Sequence, residues 1–181
     1  MPRNVEIKAR LGEPGTVTGL AAVRRRAEEL AGAPAAVLQQ DDTFFAAPHG
    51  RLKLRVFAPQ GGDGAELIHY TRGDDTAART SEYVRVPVPD PDALREALTR
   101  AIGQHGRVRK TRWFVLQGRT RIHLDAVEGL GDFMELEVVL APEEDPESGR
   151  AEAEALMARL GLADAPRVAG AYRDLLAAAS S

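Results

Sequence analysis

Glu135 and Glu137 stand two residues apart in Phe133-Met134-Glu135-Leu136-Glu137. Alternate residues of a strand face the same way, so this spacing puts two carboxylates side by side. Carboxylates so placed repel, and a hard cation such as Mg²⁺ or Mn²⁺ is their natural partner. The same period of two recurs with other charges. Glu6, Lys8 and Arg10 form one set, Arg51, Lys53 and Arg55 a second, Lys110 and Arg112 a third, and Arg121, His123 and Asp125 a fourth, with Arg72 and Arg85 on two further strand-like segments. A row of cations attracts phosphate. Acids and bases together describe a site for a metal ion and a polyphosphate. For any single strand, a solvated charged face is the ordinary reading. Like-charge sets repeated strand after strand argue instead for a ligand that supplies the countercharge. Such a face works best inside a closed barrel, where water is scarce and Coulomb interactions grow.

Lysine usage sharpens the choice. Of 24 basic residues only Lys8, Lys53 and Lys110 are lysine, and all three fall within these charged sets. Each is a candidate for a position that needs a compact, rotatable ammonium.

The elements that must carry these residues can be read from periodicity. Residues 4–11, 51–56, 66–72 and 82–88 read as strands. Residues 108–116 and 120–126 form a hairpin around Gln117-Gly118, and 133–140 is a last strand. Helices are predicted over 16–31, from the Asp90-Pro91 start to Ile102, near 150–160, and over 167–178. Gly61–Gly64 reads as a hairpin turn, 73–80 as a mobile loop and 142–149 as an acidic loop. No element is assigned between Gly32 and Arg51. The expectation is a single α+β domain over 1–181, with several antiparallel strands and a few helices.

Composition bounds the function. The chain has 181 residues, 44% hydrophobic and 28% charged, enough for a sizeable core. It has no cysteine, which excludes disulfides, Cys-ligated zinc, iron–sulfur clusters and thiol catalysis and fits a reducing cytoplasm. A net charge of −3 gives no argument for nucleic acid, and no apolar run has the length of a membrane span. The opening Met1-Pro2-Arg3-Asn4 has no signal-peptide pattern.

These motifs resemble the CYTH family, the triphosphate tunnel metalloenzymes. The resemblance rests on Asn4-Val5-Glu6-Ile7-Lys8, Arg51-Leu52-Lys53-Leu54-Arg55, Tyr70-Thr71-Arg72, Arg109-Lys110-Thr111-Arg112, Arg121-Ile122-His123-Leu124-Asp125, Gly129–Glu137 and Ala171-Tyr172-Arg173-Asp174, in order along nearly the whole chain. It implies an eight-stranded antiparallel β-barrel, a triphosphate tunnel, with flanking helices. It implies metal-binding acids at Glu6, Asp125, Glu135 and Glu137, and triphosphate-binding bases at Lys8, Arg51, Lys53, Arg55, Arg72, Lys110, Arg112 and Arg121. Glu6, Lys8, Lys53 and Glu135 form the implied catalytic set, with Mg²⁺ or Mn²⁺ as cofactor. The implied substrates are ATP, tripolyphosphate or another organic triphosphate, and a homodimer is compatible with the pattern. One position departs from it: the first acid of the leading strand motif is Asn4, which offers a carbonyl oxygen but no charge.

The preferred activity is class IV adenylyl cyclase-like, converting ATP to cyclic AMP and pyrophosphate. The alternatives are a tripolyphosphatase, a thiamine or nucleoside triphosphatase, and a non-catalytic polyphosphate-binding module. Other signals read as structural. His123 is an incidental wall residue before it is a proton shuttle or phosphate contact. Tyr172 reads as packing rather than catalysis, and Gly129-x-Gly131 lacks the lysine of a phosphate-binding loop. His49, His69 and His105 lack ligand spacing.

Overall fold

A computed structural model describes residues 3–57, 64–72 and 81–179. The loop assigned to 73–80 and the Gly61–Asp63 part of the predicted turn lie outside these residues. Among the described residues there are eight strands: β1 (Arg3–Arg10), β2 (Ala36–Phe45), β3 (Arg51–Phe57), β4 (Ala65–Arg72), β5 (Ser81–Pro87), β6 (Gln104–Gln117), β7 (Thr120–Val127) and β8 (Gly131–Leu140). Four helices accompany them: α1 (Leu20–Ala31), α2 (Pro91–Ile102), α3 (Pro146–Arg159) and α4 (Tyr172–Ala179).

The strands form one antiparallel sheet in the order β1-β8-β7-β6-β2-β3-β4-β5. The outermost strands, β1 and β5, are not hydrogen-bonded to each other. Yet Asn4, Glu6 and Lys8 of β1 line the same cavity as Arg85 of β5, so the sheet curls into a barrel-like tunnel. Part of the β1 edge is taken by the C-terminal segment. Val168 donates its N–H to Lys8 O at 2.9 Å, and Arg10 donates to Pro166 O at 3.0 Å.

Period-two alternation sorts the side chains. The ionic alternates turn into the tunnel and the apolar ones turn outward beneath helices. Val5, Ile122, Leu124, Leu136 and Val138 pack with Val23 and Ala27 of α1 and with Ala153, Leu156 and Met157 of α3. Leu54 and Ala65 are covered by Leu94 and Leu98 of α2. Burial of this outer layer, worth roughly 25 cal/mol per Å² of apolar surface, holds the charged inner face in place.

Five elements differ from the sequence expectation; one is β6, which begins at Gln104 rather than 108 because the polar Gln104–Arg107 stretch shows no alternation. β2 was unassigned, because Gln39-Gln40-Asp41-Asp42-Thr43 offers no apolar alternation on either face. α3 begins at Pro146, capped by Asp145 accepting from the Glu147 N–H, the same Asp-Pro start that opens α2 at Asp90. α4 begins only at Tyr172, since the residues before it run extended along β1 and turn at Gly170, whose φ of 92° suits glycine. α1 starts at Leu20, after the Gly12–Gly19 turn is closed by paired backbone hydrogen bonds. No helix among the described residues is long and apolar enough to cross a membrane.

Candidate active site

Register brings the charged residues face to face. On β1 and β8, Lys8 lies opposite Glu135 and Glu6 opposite Glu137. On β7 and β8, His123 lies opposite Glu135 and Arg121 opposite Glu137. On β2 and β3, Asp42 lies opposite Arg55, and on β6 and β7, Arg112 lies opposite Asp125. Opposed antiparallel residues approach within about 4.5–5.5 Å at Cβ, so these pairs interact directly.

The resulting cavity of about 270 Å³ is lined by Glu6, Lys8, Lys53, Arg55, Lys110, Arg112, Glu135 and Glu137, with Asn4, Asp42, Arg85 and Tyr172 beside them. All three lysines of the chain therefore reach one chamber. Glu6 comes from β1, Glu135 and Glu137 from β8 and Asp42 from β2, while the bases come mainly from β3 and β6. Tyr172 is part of the lining and packs with Phe44, Val108, Val127 and Phe133.

Two carboxylates bind the bases together. Asp42 accepts from Arg55 Nε and Nη2 at 2.7 Å each and from Lys53 Nζ at 2.9 Å. Asp125 accepts from Arg112 Nε and Nη2 at 2.6 Å each, from Tyr172 Oη at 2.9 Å and from Lys110 Nζ at 3.3 Å. Arg112 also donates to Glu135 Oε2 at 3.1 Å. Lys8 donates to Gly170 O at 3.2 Å and sits 3.7 Å from Glu135 Oε1 and 3.8 Å from Glu6 Oε1. The like-charge rows seen in the sequence are thus neutralised across strands.

Burial is the largest single influence on these groups, though neighbouring cations outweigh it at the acids. It pushes the Lys110 ammonium down to about 7, helped by the Arg112 guanidinium, although Asp125 opposes the shift. It pushes Lys53 down to about 8 against the attraction of Asp42. Burial by itself would raise Glu135, but His123, Lys8 and Arg112 hold it well below the usual carboxylate range. Asp42 and Asp125 are likewise held low by their cations in spite of burial. Burial, Asp125 and Glu135 push the Tyr172 hydroxyl up, so it stays protonated and donates. Lysines titrating near neutrality can exchange protons with an arriving anion, a property of groups tuned for function.

The implied residues separate into three groups. Glu6, Lys8, Lys53, Arg55, Lys110, Arg112, Glu135 and Glu137 line the chamber. Asp125 lies fully buried behind its wall, committed to Arg112, Lys110 and Tyr172. Arg51 reaches Asp174 of α4 at 3.2 Å, and Arg121 is half-exposed beside Glu137; neither lines the chamber. The side chain of Arg72, on β4, lies outside the described residues. Asp42 escaped the sequence reading. Its signal was its place in the alternation Gln40, Asp42, Phe44, and the lack of an acid to balance Lys53 and Arg55. Tyr172, read as packing, does pack, but it also donates to Asp125, and its ring lies 4.7 Å from Lys8 Nζ and 5.0 Å from Lys110 Nζ.

The donor set fits a divalent cation. Glu6, Glu135 and Glu137 present carboxylates to the chamber, with no thiolate in the chain to favour a softer metal.

The comparisons with known proteins agree with this construction. The PH1012 protein of Pyrococcus horikoshii OT3 superposes with a TM-score of 0.76 at 23% identity, covering 97% of this chain and 99% of that one. A Vibrio parahaemolyticus protein described as a "putative adenylate cyclase" gives a TM-score of 0.70 at 21% identity, covering 97% and 98%. The PH1819 protein of P. horikoshii OT3 gives 0.64 at 20% identity, covering 97% and 98%. At these identities the likeness establishes the fold alone. A search of curated proteins found no match. The CYTH domain family model, however, matches residues 2–172, from the first tunnel strand to the Tyr172 that lines the chamber, and the chain belongs to that family.

Proposed function

We propose that the chamber binds the triphosphate group of a nucleotide and, with a divalent metal ion, catalyses its attack in the manner of a class IV adenylyl cyclase. The carrying observation is the division of one small chamber into a basic wall, Lys53, Arg55, Lys110 and Arg112, and an acidic wall, Glu6, Glu135 and Glu137. Lys8 stands between the acids. A volume of about 270 Å³ lies at the lower edge of the roughly 300–1,000 Å³ usual for small-ligand sites. It suits a polyphosphate chain, leaving the organic part of the substrate at the mouth.

Phosphoryl and nucleotidyl transfers are accelerated mainly by positioning and charge stabilisation. The basic wall would align the phosphates, while Asp42 and Asp125 orient the bases that touch them. Glu6, Glu135 and Glu137 would hold the ion, which when bound polarises a phosphorus centre and stabilises developing charge. In the cyclase reaction the ribose 3′-oxygen forms a bond to the α-phosphorus, the bond to pyrophosphate breaks, and the hydroxyl proton is lost.

The likeness to a protein described as a "putative adenylate cyclase" agrees with this reading. Incubation with Mn²⁺ or Mg²⁺ and ATP, and separately with tripolyphosphate, tests it. Cyclic AMP and pyrophosphate are the expected products. Inorganic phosphate would assign a triphosphatase, and binding without turnover a polyphosphate-binding module.

A further inference from the structure

His123 is placed unlike an incidental wall residue. Its side chain is 9% exposed and its Nδ1 is buried with no hydrogen-bond partner. That nitrogen lies 3.9 Å from Glu135 Oε2 and 3.9 Å from Glu137 Oε1, too far for a hydrogen bond. A buried, unpaired polar atom carries a desolvation cost that needs a compensating contact. Phe114 packs on the ring, its centroid 5.5 Å away, and helps fix the imidazole beside Glu135.

The three groups can converge on one point. Their ligand atoms all fall within 4.8 Å of one another. Metal bonds of about 2.0–2.2 Å to imidazole nitrogen and carboxylate oxygen place two ligands of one ion roughly 3–4 Å apart. Asp125, the nearest acid on the same strand, offers no such vacancy, because Arg112, Lys110 and Tyr172 already occupy its oxygens.

We propose that His123 Nδ1 is a metal ligand, adding one nitrogen to the carboxylates of Glu135 and Glu137 at the edge of the chamber. The metal preference then departs from an all-oxygen site. Imidazole suits Zn²⁺, Ni²⁺ and Fe²⁺, whereas Mg²⁺ keeps to oxygen and water; Mn²⁺, an oxygen-preferring ion, serves as the spectroscopic probe. The inference rests on the metal-bearing chamber proposed above, but it concerns binding and not turnover.

The test uses the whole chain loaded with Mn²⁺ in the absence of nucleotide. Electron spin-echo modulation from a directly bound ¹⁴N is expected in the parent protein and should vanish in His123→Gln. Loss of an outer-shell partner alone costs about 10–100-fold in metal affinity, so loss of this ligand should weaken Mn²⁺ by at least about tenfold in calorimetry. Mg²⁺ binding should change less. No nitrogen signal in the parent, or a signal that persists in His123→Gln, overturns the assignment. Tripolyphosphate binding without metal is measured alongside. If it holds while the nitrogen signal is absent, the histidine ligand fails and the triphosphate chamber stands. If tripolyphosphate does not bind but the signal is present, the reverse is true.

Discussion

Tyr172 donates its hydroxyl to Asp125 Oδ2 at 2.9 Å, and its ring lies against the ammonium groups of Lys8 and Lys110. One side chain from the C-terminal helix thus contacts an acid of β7 and bases of β1 and β6. Tyr172→Phe keeps the ring and deletes the donor. A hydrogen bond to a charged group contributes about 1.5–3 kcal/mol, and that loss should appear in the urea unfolding midpoint. Tyr172→Ala should cost more, since it also removes the packing on Phe133, whose ring centroid is 5.1 Å away.

Asp42 is the acid that makes the basic wall tolerable without ligand. Asp42→Asn leaves the half-buried Lys53 and Arg55 with no carboxylate between them. Breaking such an arrangement from one side costs about 3–5 kcal/mol. Tripolyphosphate should then raise the melting temperature of Asp42→Asn by more than that of the parent. Equal shifts in a thermal-melt titration would mean that the phosphates do not reach Lys53 and Arg55.

The buried lysines set opposite pH trends for stability and for binding. Lys110 titrates at about 7 and Lys53 at about 8 in the folded chain, whereas an unfolded lysine titrates near 10.4. Between those values the unfolded chain binds more protons. Their unfavourable contribution to folding is therefore complete below about pH 7 and fades as pH rises toward 10. Polyphosphate prefers the charged lysines, so its affinity should fall over the same range. At pH 8 binding should draw in protons. Calorimetry in two buffers of different ionisation enthalpy reads that uptake, which should shrink in Lys110→Met.

Position relative to the chamber should rank the bases. Lys53→Ala and Arg112→Ala each remove a charge-assisted phosphate contact worth about 1.5–3 kcal/mol, so triphosphate affinity should drop roughly tenfold or more. Arg121 is half-exposed outside the chamber, and exposed ion pairs contribute only about 0–1 kcal/mol, so Arg121→Ala should change affinity by less than about fivefold. Equilibrium binding of tripolyphosphate without metal makes the comparison.

The strands that pair a mainly apolar outer row with a mainly ionic inner row were legible in the sequence, as β1, β3 and β6–β8 show, because the charges recur at alternate positions. β2 was not legible, since Gln39 to Thr43 are polar whichever way they face. Its omission hid Asp42, and with it the cross-strand neutralisation of the basic rows. Sequence spacing places residues on a face but not across strands. Hence Asp125 shares its alternation with His123, yet the fold commits one to arginine, lysine and tyrosine and leaves the other's Nδ1 unpaired. The Asp145-Pro146 helix start was readable by the same rule as Asp90-Pro91; the acidic residues around it made it look like loop.

The placement of β1 also governs how the molecule assembles. β1 pairs with β8 and with the extended segment before α4, and Lys8 reaches Gly170, 162 positions along the chain. The β6–β7 and β7–β8 hairpins close over a few residues, but β1 can dock only after a long loop has closed. Loop closure over such separations is entropically costly, and non-local strand pairing slows folding. Glu6 and Lys8 thus join the chamber through the contacts of highest sequence separation. Completion of the charged chamber and completion of the fold are coupled events, and a partly assembled chain lacks an acid and a base of the site together.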